Sequence, residues 1–245
     1  MHPVLESVAH RPWPLPDGPW VMEQTWNDLL FAHWPLAPQI VRPLVPPQLP
    51  IDMFEGRSWI AVTPFHMSGV RVRGLPPIAG LSDFPELNVR TYVTVDAKPG
   101  VFFFSLDAGS RLAAWAARAT YHLPYFFARM RVELGDTVRY RSIRERGAQF
   151  RAEYRASAPV ALRKPGSLEH WLTERYCLYT VTRGKVFRAE IHHRQWPLQD
   201  AEAEISENTL AHSAGIELAG APSLLHYSKK LEVLVWRLKS LDKPR

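Results

Sequence analysis

Two-residue alternation over residues 125–156 constrains this chain more than any other feature of its sequence. In the last run, Gln149, Arg151, Glu153 and Arg155 fall on one side and Phe150, Ala152 and Tyr154 on the other, the period of a half-buried strand. Gly135-Asp136 and Gly147 separate the runs by only a few residues, and Arg183-Gly184 does the same further on. Such short connections join antiparallel hairpins, because a parallel crossover needs a dozen residues or more. Strands are expected over 58–66, 88–96, 101–106, 125–133, 137–145, 149–156, 177–183, 185–193 and 228–236. The chain has 245 residues, 46% of them hydrophobic, and neither a repeat nor a low-complexity linker, so it can bury one large core. The expected class is α+β and β-dominated: a single antiparallel sheet, curled or closed into a cone-like barrel, with two or three flanking helices.

The helices are sought in three places. Residues 110–121 are alanine-rich, with Leu112, Trp115, Ala116 and Ala119 at helical spacing, and the helix is expected to pack through Trp115. Ser167 can cap a second helix through Leu168, Trp171 and Leu172, with Glu169 near its positive end. The acidic stretch 200–207 is the third and shortest.

Several function classes lose ground on composition. The longest early uncharged stretch, 29–41, spans 13 residues and contains Pro35 and Pro38, whereas a membrane helix needs about 20 apolar residues. The first twenty residues include Glu6, Asp17 and five prolines, which suits a wrapping tail better than a secretory signal. The division expected is a tail at 1–19, the barrel domain at 20–236 and a tail at 237–245. A single cysteine, Cys177, cannot form an internal disulfide, and the expected location is cytoplasmic. The net charge of +6 arises mainly over 101–160, where ten basic residues face five acidic ones. Because these arginines alternate along strands, they read as a solvated sheet face rather than a nucleic-acid surface. The proline-rich stretches 43–50 and 74–77 read as stiff loops.

No glycine-rich phosphate loop, His-Glu-x-x-His run or Gly-x-Ser-x-Gly elbow occurs. Adjacent His192 and His193 on a strand point to opposite faces, so only one can serve a given site, and neither a metal nor a cofactor is expected. The most informative constellation runs from Phe84 to Val93. If extended, it puts Glu86, Asn88, Arg90, Tyr92 and Thr94 on one face and Leu87, Val89, Thr91, Val93 and Val95 on the other. Pattern alone leaves that polar face open to two arrangements, a solvated surface or the lumen of a curled sheet. In the lumen, Arg90 offers a planar fork to a carboxylate, and Glu86 becomes a proton carrier through a raised pKa. Asn88, Tyr92, Arg129 and His192 complete the expected ligand contacts. Tyr125, between the alanine-rich helix and the following strand, is the second acid–base candidate.

Four stretches in order carry a resemblance: GVRVRGLPP at 69–77, LSDFPELNVRTYV at 81–93, GSLEHWLTERY at 166–176 and IHH at 191–193. They resemble the YqjF-like family of uncharacterised bacterial proteins over residues 20–236. That resemblance implies a fold similar to acetoacetate decarboxylase, a curled antiparallel sheet around a small pocket. It also implies that Glu86 matches the decarboxylase's active-site glutamate. The lysine that follows a proline in the decarboxylase corresponds to Tyr125 after Pro124, with Phe126 beside it rather than a second lysine. A phenol cannot form the imine that Schiff-base decarboxylation requires. None of the seven lysines, Lys98, Lys164, Lys185, Lys229, Lys230, Lys239 and Lys243, lies at that position. The expected ligand is a small organic acid or carbonyl compound, taken either for lysine-independent chemistry or by a non-catalytic sensing or assembly module. Exposed sheet edges make a homo-oligomer a further expectation.

Overall fold

In the computed structural model, which describes residues 2–242, the alternating runs become strands β5 (Tyr125–Glu133), β6 (Val138–Arg144) and β7 (Gln149–Ala156). They pair as antiparallel neighbours, with Val138, Tyr140, Phe150, Ala152 and Tyr154 buried on one face. Before them come β1 (Met22–Leu36), β2 (Ser58–Val72), β3 (Phe84–Val95) and β4 (Lys98–Ala108). After them come β8 (Cys177–Thr182), β9 (Lys185–His193), β10 (Gln199–Asn208), β11 (Leu224–Val235) and β12 (Lys239–Ser240). All twelve belong to one sheet, antiparallel except where β4 runs parallel to both β5 and β8.

The sheet closes on itself twice. One end of β11 pairs with β9 and the other with β10, while β4 pairs with β8 and with β5. One ring therefore runs β4-β3-β2-β1-β11-β9-β8 and the other β4-β3-β2-β1-β11-β10-β7-β6-β5, with a shared wall from β4 to β11. A strand in a shared wall has both faces covered, so its sequence loses alternation. That is the case for β1, where Leu29 and Phe31 face one core and Leu30, Ala32 and Trp34 the other.

Three features depart from expectation. The stretch 200–207 is not a helix; it belongs to β10, whose Ala201, Ala203 and Ile205 turn inward while Asp200, Glu202 and Glu204 are exposed. Of its acids, Glu202 pairs with Arg155 of the neighbouring strand at 2.8 Å. The alanine-rich segment is helix α2 (Arg111–Tyr121), following α1 (Pro38–Val41), but Trp115 does not pack. It is 64% exposed, and the helix instead seats its small Ala113, Ala114 and Ala117 side against the barrel, because small residues allow close approach. The parallel pairs of β4 are the third departure. They arise because α2 and α3 (Leu168–Thr173) lie in connections long enough to return the chain in the same direction.

Residues outside 20–236 add to the domain. Val4 is buried beside Trp236 and Leu234, and β12 pairs with Phe187 and Arg188 of β9. No helix among the described residues is long and apolar enough to cross a membrane.

Candidate functional site

The polar face of β3 lines the interior of a ring. Its other face, Leu87, Val89 and Val93, fills the core between the shared wall and β6–β7, so Glu86, Asn88 and Arg90 are directed into the ring closed by β8 and β9. There they line a cavity of about 690 Å³. Most of its wall is apolar, with Trp26, Phe65, Met67, Phe84 and Trp196 among the larger contributors. The polar groups are few and buried: Glu86 is 2% exposed, Asn88 4% and Arg90 8%.

Pairing positions Tyr125 opposite Glu86. Glu86 faces Ala108 on β4, and Tyr125 lies beside Leu106, one pleat away on the same strand. From there the Tyr125 hydroxyl donates to Glu86 Oε2 at 2.7 Å. Burial pushes the Glu86 carboxyl up to about 8; the hydrogen bond from Tyr125 opposes this and the nearby Asp107 charge adds to it. Burial, and then the Glu86 charge, hold the Tyr125 phenol well above its ordinary value. At neutral pH the pair is therefore largely an uncharged carboxyl beside a phenol, able to donate a hydrogen bond or a proton to a ligand oxygen.

A second arginine joins Arg90 on the cavity wall. Arg175 follows α3 and is 5% exposed; its Nη1 donates to Asp52 Oδ2 at 2.5 Å and its Nε to the Trp171 carbonyl at 2.6 Å. Its Nη2 has no partner, and neither do Arg90 Nε, Asn88 Oδ1 and Thr63 Oγ1. Buried polar atoms are ordinarily satisfied, so such a group of orphans around one cavity makes it a candidate site.

The remaining expected contacts sit elsewhere. Tyr92 does not line the cavity. It is fully buried behind Arg90, with its hydroxyl 2.8 Å from His33 Nε2 and the Arg175 guanidinium 5.0 Å from its ring, so it backs the arginines. Arg129 is exposed on the outer side of β5, because its neighbour Ala128 takes the inward position. His192 points away from the cavity and is covered by the N-terminal segment: its Nε2 lies 3.0 Å from the Val4 carbonyl and its ring stacks on His10. The inward histidine is His193, which stacks on Tyr176 and lines the cavity. Burial lowers His192 to about 4 and His193 to about 3, so both are neutral at pH 7. Period-two geometry separated the two histidines correctly but could not say which side was inside. Arg175 carried no local signal beyond its place in the motif at 166–176.

Comparison with known proteins agrees with this architecture. The model of DUF2071, described as an uncharacterized conserved protein, matches residues 23–232. The uncharacterized protein YqjF of Bacillus subtilis is 52% identical over 240 residues, covering 96% of this chain and 99% of that protein. Acetoacetate decarboxylase from Legionella pneumophila superposes with a TM-score of 0.65 at 12% identity, covering 96% of this chain and 93% of that one. The enduracididine biosynthesis enzyme MppR complexed with pyruvate superposes with a TM-score of 0.61 at 9% identity, over 96% of this chain and 93% of its own. These structural likenesses establish an acetoacetate decarboxylase-like fold.

Proposed function

The chain belongs to the DUF2071 family of uncharacterized conserved proteins, and from that premise we propose that its cavity binds a small organic acid or carbonyl compound without forming a Schiff base. The observation that carries this reading is the cluster of buried polar side chains at the inner end of the cavity, Asn88, Arg90 and Arg175, in which Arg90 Nε, Arg175 Nη2 and Asn88 Oδ1 have no protein partner. Two guanidinium groups suit a carboxylate, which accepts paired N–H donors. The Glu86–Tyr125 pair suits a carbonyl oxygen, to which a protonated carboxyl donates as general acid. We assign Glu86 and Tyr125 the acid–base role and Asn88, Arg90 and Arg175 the binding role. Tyr92 acts through the arginines it supports.

Tyr125 takes the position of the decarboxylase lysine, and among the described residues no other amine stands in for it. Among the described residues no lysine lines the cavity: Lys98 is paired with Glu190 at 2.8 Å, and Lys164, Lys185, Lys229, Lys230 and Lys239 are exposed. Borohydride added with acetoacetate or pyruvate should therefore leave the intact mass unchanged. A reduced adduct on any lysine would overturn the lysine-free assignment.

A second reading, a ligand-sensing module that assembles with copies of itself, draws support from Leu112 and Trp115, exposed by 50% and 64% on α2. We keep binding of a small molecule, rather than nucleic acid, as the leading reading, because arginines of the outer face such as Arg155 and Arg139 already pair with Glu202 and Glu153. Cytoplasmic location belongs to the proposal and rests on the lone, buried thiol of Cys177.

A further inference from the structure

The cavity is far longer than its polar end. Strand pairing aligns Met67 with Phe84, Phe65 with Glu86 and Thr63 with Asn88, and these side chains line the wall in that order. From Phe84 to Arg90 the strand advances about 20 Å, at roughly 3.4 Å per residue. Beyond Phe84 the wall continues through Val70 and Leu81 to Leu75 and Ile78, which are more than half exposed at the mouth. Ala113 and Ala117 of α2 form the facing side, where small residues leave the passage open. The buried polar groups without a protein partner, on Asn88, Arg90 and Arg175, concentrate at the inner end, with Glu86 midway, a mainly hydrophobic stretch outside it and arginines only at the mouth.

A cavity of about 690 Å³ with this layout lies in the range of roughly 300–1,000 Å³ that takes drug-sized ligands. A three- or four-carbon acid held by the arginines would leave Met67, Phe84 and the passage to Ile78 without contacts. Resting on the acid-binding reading above, we infer that the ligand is an elongated monocarboxylate with an apolar alkyl or aryl body, its carboxylate on Arg90 and Arg175 and its tail directed toward the mouth between α2 and the 73–83 loop. Arg71, Arg73 and Arg237 at the mouth line the same cavity. They attract anions to the entrance, and a ligand bound the other way round would depend on them instead.

Titration calorimetry with straight-chain monocarboxylates of four, eight and sixteen carbons tests this in the full chain. Affinity should rise about fourfold for each methylene buried along the passage. Ile78→Asp, at a position already 53% exposed, should weaken the sixteen-carbon acid, whose tail alone is long enough to reach the mouth, at least fivefold and leave the four-carbon acid unchanged. Arg90→Ala should weaken every acid in the series, whereas Arg73→Ala should weaken none by more than about twofold. Equal affinity for four and eight carbons overturns the elongated-ligand inference while acid binding stands. Loss of binding in Arg73→Ala but not in Arg90→Ala overturns the orientation. Absence of binding for the whole series, with the proteins folded, overturns both the inference and the reading it rests on.

Discussion

Replacing Glu86 with Gln should remove a pH dependence of stability worth several kcal/mol. The folded-state carboxyl titrates near 8, against an ordinary value of 4.5. Below about pH 4.5 the group is protonated whether the chain is folded or not, and its full contribution to stability is present. Between about 4.5 and 8 the unfolded chain releases the proton while the folded chain keeps it, so wild-type stability falls by about 1.4 kcal/mol per pH unit. The fall is complete once pH passes the folded value. Urea unfolding at pH 5 and pH 8 should therefore show the stability of Glu86→Gln relative to wild type rising by roughly 3–5 kcal/mol across that interval. Tyr125→Phe should keep the dependence and move it to higher pH, since the lost hydrogen bond had favoured the carboxylate. A stability difference that stays constant with pH would mean that Glu86 is ionised throughout, and the general-acid role would fall with it.

The second large effect lies next to the cavity rather than in it. Asp107 of β4 is fully buried and accepts from Arg144 Nε of β6 at 2.6 Å; Ser142 Oγ sits 3.3 Å away, and Arg144 Nη1 also reaches Ser213 at 2.9 Å. This pair spans the second ring, tying β6 of the outer meander to β4 of the shared wall. Arg144→Met leaves Asp107 buried without its partner and should cost about 3–5 kcal/mol. Asp107→Leu combined with Arg144→Met should recover most of that loss, since removing both charges leaves neither uncompensated. Urea midpoints of the two single variants and the double variant check this. Additive losses would show that the pair is not coupled and that β6 is held to the shared wall by apolar packing alone.

How much was legible in the sequence depended on how each segment is buried. Strands β5, β7 and β9 have the bounds that two-residue alternation predicts, because each has one inward and one outward face. β1 gave no such signal: Leu29, Leu30, Phe31, Ala32 and Trp34 are buried on both sides of a wall shared by two rings, so no polar face interrupts them. β10 alternates strictly, but its Ala and Glu residues favour helix by intrinsic propensity, and only pairing with β7 decides for strand. Trp115 misled for the opposite reason, since helical spacing locates a face but cannot say that alanines will be the buried one.

The site was legible to a similar depth. Glu86, Asn88 and Arg90 follow from alternation on β3 once the ring closes around their side, and closure is a tertiary property that no window of sequence contains. Choosing between His192 and His193 needed the N-terminal segment, whose Val4 and Arg11 contacts cover His192 from outside. Arg175 is held by Asp52, more than a hundred residues away, and Arg129 shares a strand with Tyr125 without sharing the cavity.

The most direct test of the account is a thermal-shift comparison of wild type and Arg90→Ala against a panel of carboxylic and β-keto acids. Ligand at a hundred times its dissociation constant adds about 2.7 kcal/mol, and a domain of this size gains roughly 2–4 °C per kcal/mol. Wild type should rise by about 5 °C or more with at least one acid, and Arg90→Ala of equal baseline stability should not rise at all. An equal rise in both proteins, or none in either, would contradict this and return Arg90 to a structural role.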